Sequence, residues 1–131
     1  MKRRYIGLAM VAMVAVGALL LGSCGFKRQL VSIAITPDGA NIQGVGVIVN
    51  FQAIGTYVHP PDTRDITNSV VWASSAPQII SIDSSTGVAV SGDGCGSNIT
   101  ITATSYSNPE TKSGRAVVGT ATASVTQHTC P

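Results

Sequence analysis

From Leu30 onward, apolar and polar side chains alternate residue by residue, with turn-forming residues breaking the alternation every ten positions or so. Period two marks a strand with one buried face, because successive side chains leave a pleated backbone on opposite sides. Val47, Val49, Phe51 and Ala53 share one face, with Asn50 and Gln52 on the other. Ile99, Ile101 and Ala103 alternate with Thr100, Thr102 and Thr104, and Ala121, Ala123 and Val125 with Thr120, Thr122 and Ser124. Threonine suits the outer faces, since branched side chains fit the pleat. The pattern predicts strands at 30–36, 47–57, 69–73, 79–83, 87–91, 97–105 and 116–127. Seven short antiparallel strands and no helical stripe predict an all-β sandwich. Turns are expected at Pro37-Asp38-Gly39, Pro60-Pro61-Asp62, Asp83 through Gly87, Gly92-Asp93-Gly94 and Ser107-Asn108-Pro109. The longest gap, 56–67, is expected to be an exposed, solvated loop carrying His59, Asp62, Arg64 and Asp65.

The first 23 residues have a different character. Lys2, Arg3 and Arg4 precede an apolar or small run at 6–21, which closes on Leu21, Gly22, Ser23 and Cys24. A positive start, an apolar stretch and a small-residue cut site make a secretory signal. The apolar run is shorter than the ~20 residues that cross a bilayer, which weighs against an uncleaved anchor. The segment L-G-S-C resembles the lipobox of bacterial lipoproteins, over the leader alone. That resemblance implies a diacylglyceryl group on the thiol of Cys24, cleavage after Ser23, and acylation of the new amino terminus with a fatty acid such as palmitate. Two or three chains hold firmly, since each buried methylene contributes ~0.8 kcal/mol. The competing view is a plain secretory signal with an incidental Cys24. Either leader places the chain outside the cytoplasm, and lipidation ties it to a membrane of the cell envelope. Gly25 follows Cys24 in place of the Asp associated with inner-membrane retention in many Gram-negative bacteria, which favours the outer membrane.

Removing residues 1–23 from 131 leaves 108, enough for one domain with a modest core. The expected organisation is a signal peptide at 1–23, a lipidated tether at 24–29 and one domain at 30–131. Of eight Lys and Arg, three leave with the leader, so five face six Asp and Glu in the mature chain. A nearly neutral chain without a basic cluster does not suit nucleic acid. Assigning Cys24 to lipid leaves Cys95 and Cys130 as an even pair, most simply a disulfide in an oxidising compartment. Closing that loop of about 35 residues contributes about 3 to 4 kcal/mol on the chain-entropy model.

The order of segments resembles the group-2 bacterial Ig-like domain of intimin- and invasin-type surface proteins, over Val31 to Val125. The residues that carry it are V-S-I-A-I-T-P at Val31 to Pro37, G-V-I-V-N-F-Q-A-I-G-T-Y at Gly46 to Tyr57, and V-V-W-A-S-S-A-P at Val70 to Pro77. Ile79 to Ile82, T-G-V-A-V at Thr86 to Val90 and I-T-I-T-A-T at Ile99 to Thr104 complete the register. The resemblance implies an Ig-like β-sandwich and a structural, adhesion or protein-interaction role, toward an unidentified protein or surface glycan. Trp72, the one tryptophan, is expected at the centre of the core, with Phe51, Val49, Ile82, Ile99 and Ile101 around it. Gly87 is expected in a turn that needs positive φ. Cys95, Cys130 and the Gly-rich segment from Gly92 to Gly96 depart from the family. With the last two strands as antiparallel neighbours, the start of one meets the end of the other, and Cys95 falls near Cys130.

Chemistry is not expected. Only His59 and His128 could serve the mature chain as imidazole bases, and no Gly-x-Ser-x-Gly elbow is present. Asp62 and Asp65 lack the apolar surround that raises one carboxyl for glycosidase work. The alternative function is small-ligand or metal binding by His128, Cys130 and Cys95, but a copper site normally adds a second His and a Met, and all three Met are in the leader. No metal or cofactor is therefore expected. Asn98-Ile99-Thr100 matches a glycosylation sequon but is read as the start of a strand. Of the mature aromatics, Phe51 and Trp72 are assigned to the core, and Tyr57 and Tyr106 to loop edges.

Overall fold

The computed structural model describes residues 28–127 and 130. The leader, Cys24 with its lipobox, and His128 lie outside the described residues.

The described chain is all-β and sandwich-like. Its strands are β1 (Gln29–Thr36), β2 (Ala40–Gln43), β3 (Ile48–Asn50), β4 (Gln52–Val58), β5 (Asp62–Asp65), β6 (Val71–Ser74), β7 (Ile80–Ile82), β8 (Val88–Ser91), β9 (Gly96–Asn108) and β10 (Ser113–Thr126). They form sheets of order β1-β4-β5, β3-β8-β7 and β2-β10-β9-β6. Only Phe51 separates β3 from β4, so the two three-stranded sheets are joined through one extended run. Together they stand against the four-stranded sheet across a single core.

The core follows the alternation. Leu30, Ile33 and Ile35 from β1, Phe51 and Ala53, Trp72, Ile80, Ala89, Ile99, Ile101 and Ala103, and Val117, Ala121, Ala123 and Val125 are all buried. Trp72 is 2% exposed, its ring centroid is 6.4 Å from that of Phe51, and its Nε1–H donates to the Thr67 carbonyl at 2.8 Å. The indole thus contributes apolar area while its one polar atom stays satisfied. Gly87 takes φ 75°, and a Cβ there would sit 2.8 Å from Trp72 Cε2 and 2.9 Å from the Phe51 carbonyl oxygen. The turn therefore needs glycine for its dihedral and for its lack of volume. At Gly119 the layers come into close contact, since a Cβ would lie 2.5 Å from the Ile33 carbonyl oxygen.

Several sequence expectations are corrected. The described residues hold ten strands rather than seven, and they are not all antiparallel, because β2 runs parallel to β10. The chain leaves its pairing with β4 after Thr36, where Pro37 supplies no N–H for the ladder, and it crosses to the other layer as β2. The Asp38 carboxylate marks the crossing by accepting the Thr122 N–H at 2.9 Å. The expected single strand 47–57 is two, with β3 bonded to β8 and β4 bonded to β1 and β5. Side-chain period is indifferent to which neighbour takes the hydrogen bonds, so the sequence does not reveal this change of partner. The expected loop 56–67 is a hairpin: β4 continues to Val58 and β5 returns with Arg64 opposite Gly55. Val49 and Ile82 are half-buried and pack against the core from its margin. They lie on β3 and β7, the two outer strands of their sheet, so nothing covers them from one side.

Candidate functional site

β9 and β10 pair from Gly96 opposite Val125 to Asn108 opposite Ser113, and so define an axis with two ends.

One end is closed by covalent and polar ties. Cys95 and Cys130 form a disulfide with their Cα atoms 6.0 Å apart, just outside the end of the β9–β10 ladder. The Gln127 side-chain amide donates to the carbonyls of Gly92 at 2.6 Å and Gly94 at 3.2 Å, which pins the Gly-rich approach to β9. The buried Ser91 hydroxyl donates to the Gly44 carbonyl at 2.7 Å and accepts the Val47 N–H at 2.9 Å, fixing the β2–β3 connection. The bond between the cysteines consumes both thiols on which a soft-metal site would depend. No group of three or more metal-ligating side chains occurs among the described residues.

The opposite end gathers the charged hairpins. β1 begins beside the β4–β5 turn, with Gln29 opposite Val58. The Arg28 guanidinium lies over the Tyr57 ring, 5.9 Å from its centroid. A shallow groove of about 930 Å³ is lined by Tyr57, Arg64, Val71, Tyr106, Glu110 and Lys112, among others. A smaller one of about 350 Å³ lies between Arg28 and the β9–β10 turn at Pro109, Glu110 and Thr111. Tyr57 is buried, contrary to its expected place at a loop edge, because its position on β4 faces inward; Tyr106 is exposed.

Three turn carboxylates, Asp62, Asp65 and Asp83, are held as anions. Arg64 Nε–H donates to Asp62 at 2.8 Å, and this bond keeps the Asp62 carboxyl below the ordinary aspartate range. Asp65 is lowered by the hydroxyl and then the N–H of Thr67. Asp83 is lowered by the N–H and then the hydroxyl of Ser85, with the Thr86 N–H adding to the same oxygen. A general acid needs a shift in the other direction. These side chains stabilise turns.

Two outer faces carry exposed apolar side chains. Val71, Thr104 and Val118 form one cross-strand row on the four-stranded sheet, and Tyr106 pairs with Ala116 nearby. Ile48 and Val90 form another on β3 and β8, where β3 is an open edge. Sequence reasoning missed the inward Ser91, although its spacing from Ala89 marks a polar residue on a buried face. It also missed the stacking of Arg28 on Tyr57, for which no local pattern exists. No protein-family model matches the chain, and no curated protein matches it.

Proposed function

We propose that the chain is an envelope lipoprotein, anchored through Cys24, whose globular part is a single non-enzymatic Ig-like module with a structural, adhesion or protein-interaction role. The observation that carries the module is the strand order. Strands β1, β3–β4, β8 and β7 correspond to A, B, E and D of an Ig domain, and β6, β9 and β10 to C, F and G. Strand C of that fold bears a buried tryptophan, and β6 bears Trp72. The disulfide departs from the B–F bridge of antibody domains: it joins the start of β9 to the residues after β10, and Phe51 stands beside the indole. Fold alone does not carry a role. The envelope address is supported by the basic-apolar leader ending in L-G-S-C.

Expression of the whole precursor beside a Cys24→Ala variant tests this. Wild-type protein sediments with membranes and leaves them only in detergent, whereas the variant is recovered without membrane. Equal membrane retention of both proteins would overturn the anchor.

A further inference from the structure

β3 has a free edge because β1 does not follow the chain that far. β1 pairs with β4 as far as Thr36 opposite Gln52, and the chain then crosses to the other layer as β2. On its other side β3 is bonded to β8, with the Phe51 N–H donating to the Gly87 carbonyl and the Ser91 N–H to the Val47 carbonyl, each at 3.0 Å. Alternate residues of an antiparallel strand bond to opposite sides. Val47, Val49 and Phe51 therefore address β8, while Ile48 and Asn50 turn their N–H and C=O groups the other way, where no strand of the described residues pairs with them. The surroundings are apolar and uncharged. Ile48 is 63% exposed and pairs with Val90 on the outer face, Val88 lies opposite Asn50, and Val45 is 61% exposed in the preceding connection. No Asp, Glu, Lys or Arg occurs in 39–61 or in 84–92. Other edges are protected by charge or by cover. β5 carries Asp62, Arg64 and Asp65, and on β6 the outward Trp72 N–H donates to the Ser84 carbonyl at 3.0 Å.

We infer that the free edge of β3 is a docking site for an extended, uncharged segment of a partner protein, which adds to the sheet antiparallel to β3 as β1 does to β4. The inference deepens the protein-interaction role proposed above and rests on it; it does not depend on the lipid. The backbone groups of Ile48 and Asn50 specify an extended chain, because alternate residues of an added strand present matching donors and acceptors at the same spacing. The outer face specifies the side chains. Ile48 and Val90 offer apolar area to a β-branched or aromatic residue of the added strand, and an ionised residue would find no opposite charge on this stretch. A second copy of the chain suits the edge less well. β3 has three residues and spans about 10 Å, too short an edge for two copies to bury the ~1,200 Å² of a stable dimer by pairing it. An added peptide draws its affinity from main-chain bonds along the edge instead.

Selection of short peptides from a random display library on the membrane-extracted, mature protein tests the inference, with the selected peptides then titrated against wild type, Ile48→Lys and Asn50→Pro. Both positions are exposed, and the Asn50 N–H makes no bond to β8, so the variants keep the native ladder. Trp72 fluorescence reports that they fold. The selected peptides are expected to be uncharged, to carry β-branched or aromatic residues at alternate positions, and to bind each variant about tenfold more weakly. On wild type, methylating the backbone nitrogens along one edge of the peptide is expected to abolish binding, and bound peptide to slow hydrogen exchange at Ile48 and Asn50 by about threefold or more. Peptides that bind all three proteins equally and leave exchange at Ile48 and Asn50 unchanged would sink the edge and leave an interaction role elsewhere on the module. A library that yields no binder would sink both. Equal membrane retention of wild type and Cys24→Ala sinks the anchor alone.

Discussion

Trp72 concentrates more of the fold than any other residue, since its ring meets Phe51, its Nε1–H reaches Thr67, and Gly87 is kept bare beneath it. Trp72→Ala is expected to cost about 3 to 5 kcal/mol, read from urea unfolding followed by circular dichroism. An unchanged midpoint would remove the indole from the centre of the account. The turn aspartates give the acid limb its shape. Their carboxyls are lowered in the folded chain, so the stability they contribute is present above the ordinary value of about 3.8 and is lost as pH falls through the lower folded values. Unfolding midpoints measured from pH 6 down to pH 2 should fall on the acid side, and Asp83→Asn should flatten that fall. At this scale the sequence is most legible where alternation runs through long central strands: Phe51, Trp72, Ile99 and Ile101 are buried where period two and bulk put them. It is least legible at Val49 and Ile82, because burial there depends on how many strands lie beyond, which no local pattern encodes.

Among the elements, β9 and β10 are readable because each repeats its inward apolar positions many times. β2 offers only two inward apolar residues, Ala40 and Ile42, and β5 is the charged run Asp62–Asp65, whose strand character comes from backbone bonds to β4. Charges on an edge strand also discourage pairing with another chain, so the property that hides β5 from pattern reading protects the sheet. The disulfide was legible from cysteine parity, and the antiparallel β9–β10 ladder explains its closure. Replacing both cysteines by serine should lower stability by about 3 to 4 kcal/mol for a separation of 35 residues, measured against the oxidised protein. Ser91→Ala should cost about 1 to 3 kcal/mol, because the Gly44 carbonyl and the Val47 N–H lose their common partner. Loss of amide protection at Val47 in hydrogen exchange would locate that effect in the β2–β3 connection.

For the molecule as a whole, composition reveals a near balance of charge and conceals its arrangement. Arg28, Arg64 and the neighbouring Lys112 and Arg115 come from three separate stretches of sequence and are gathered because β1, β5 and the β9–β10 hairpin share one end, where Asp62, Asp65, Asp83 and Glu110 balance them. The leader has the converse character: its chemistry is written in consecutive residues and lies outside the described fold. The central proposal is a module held at the envelope through Cys24. Mass spectrometry of the amino-terminal peptide from membrane-extracted protein tests that claim most directly. The expected peptide begins at Cys24 and carries a diacylglyceryl group, with or without a further acyl chain on its amine. A peptide that begins elsewhere and bears no acyl mass would contradict it.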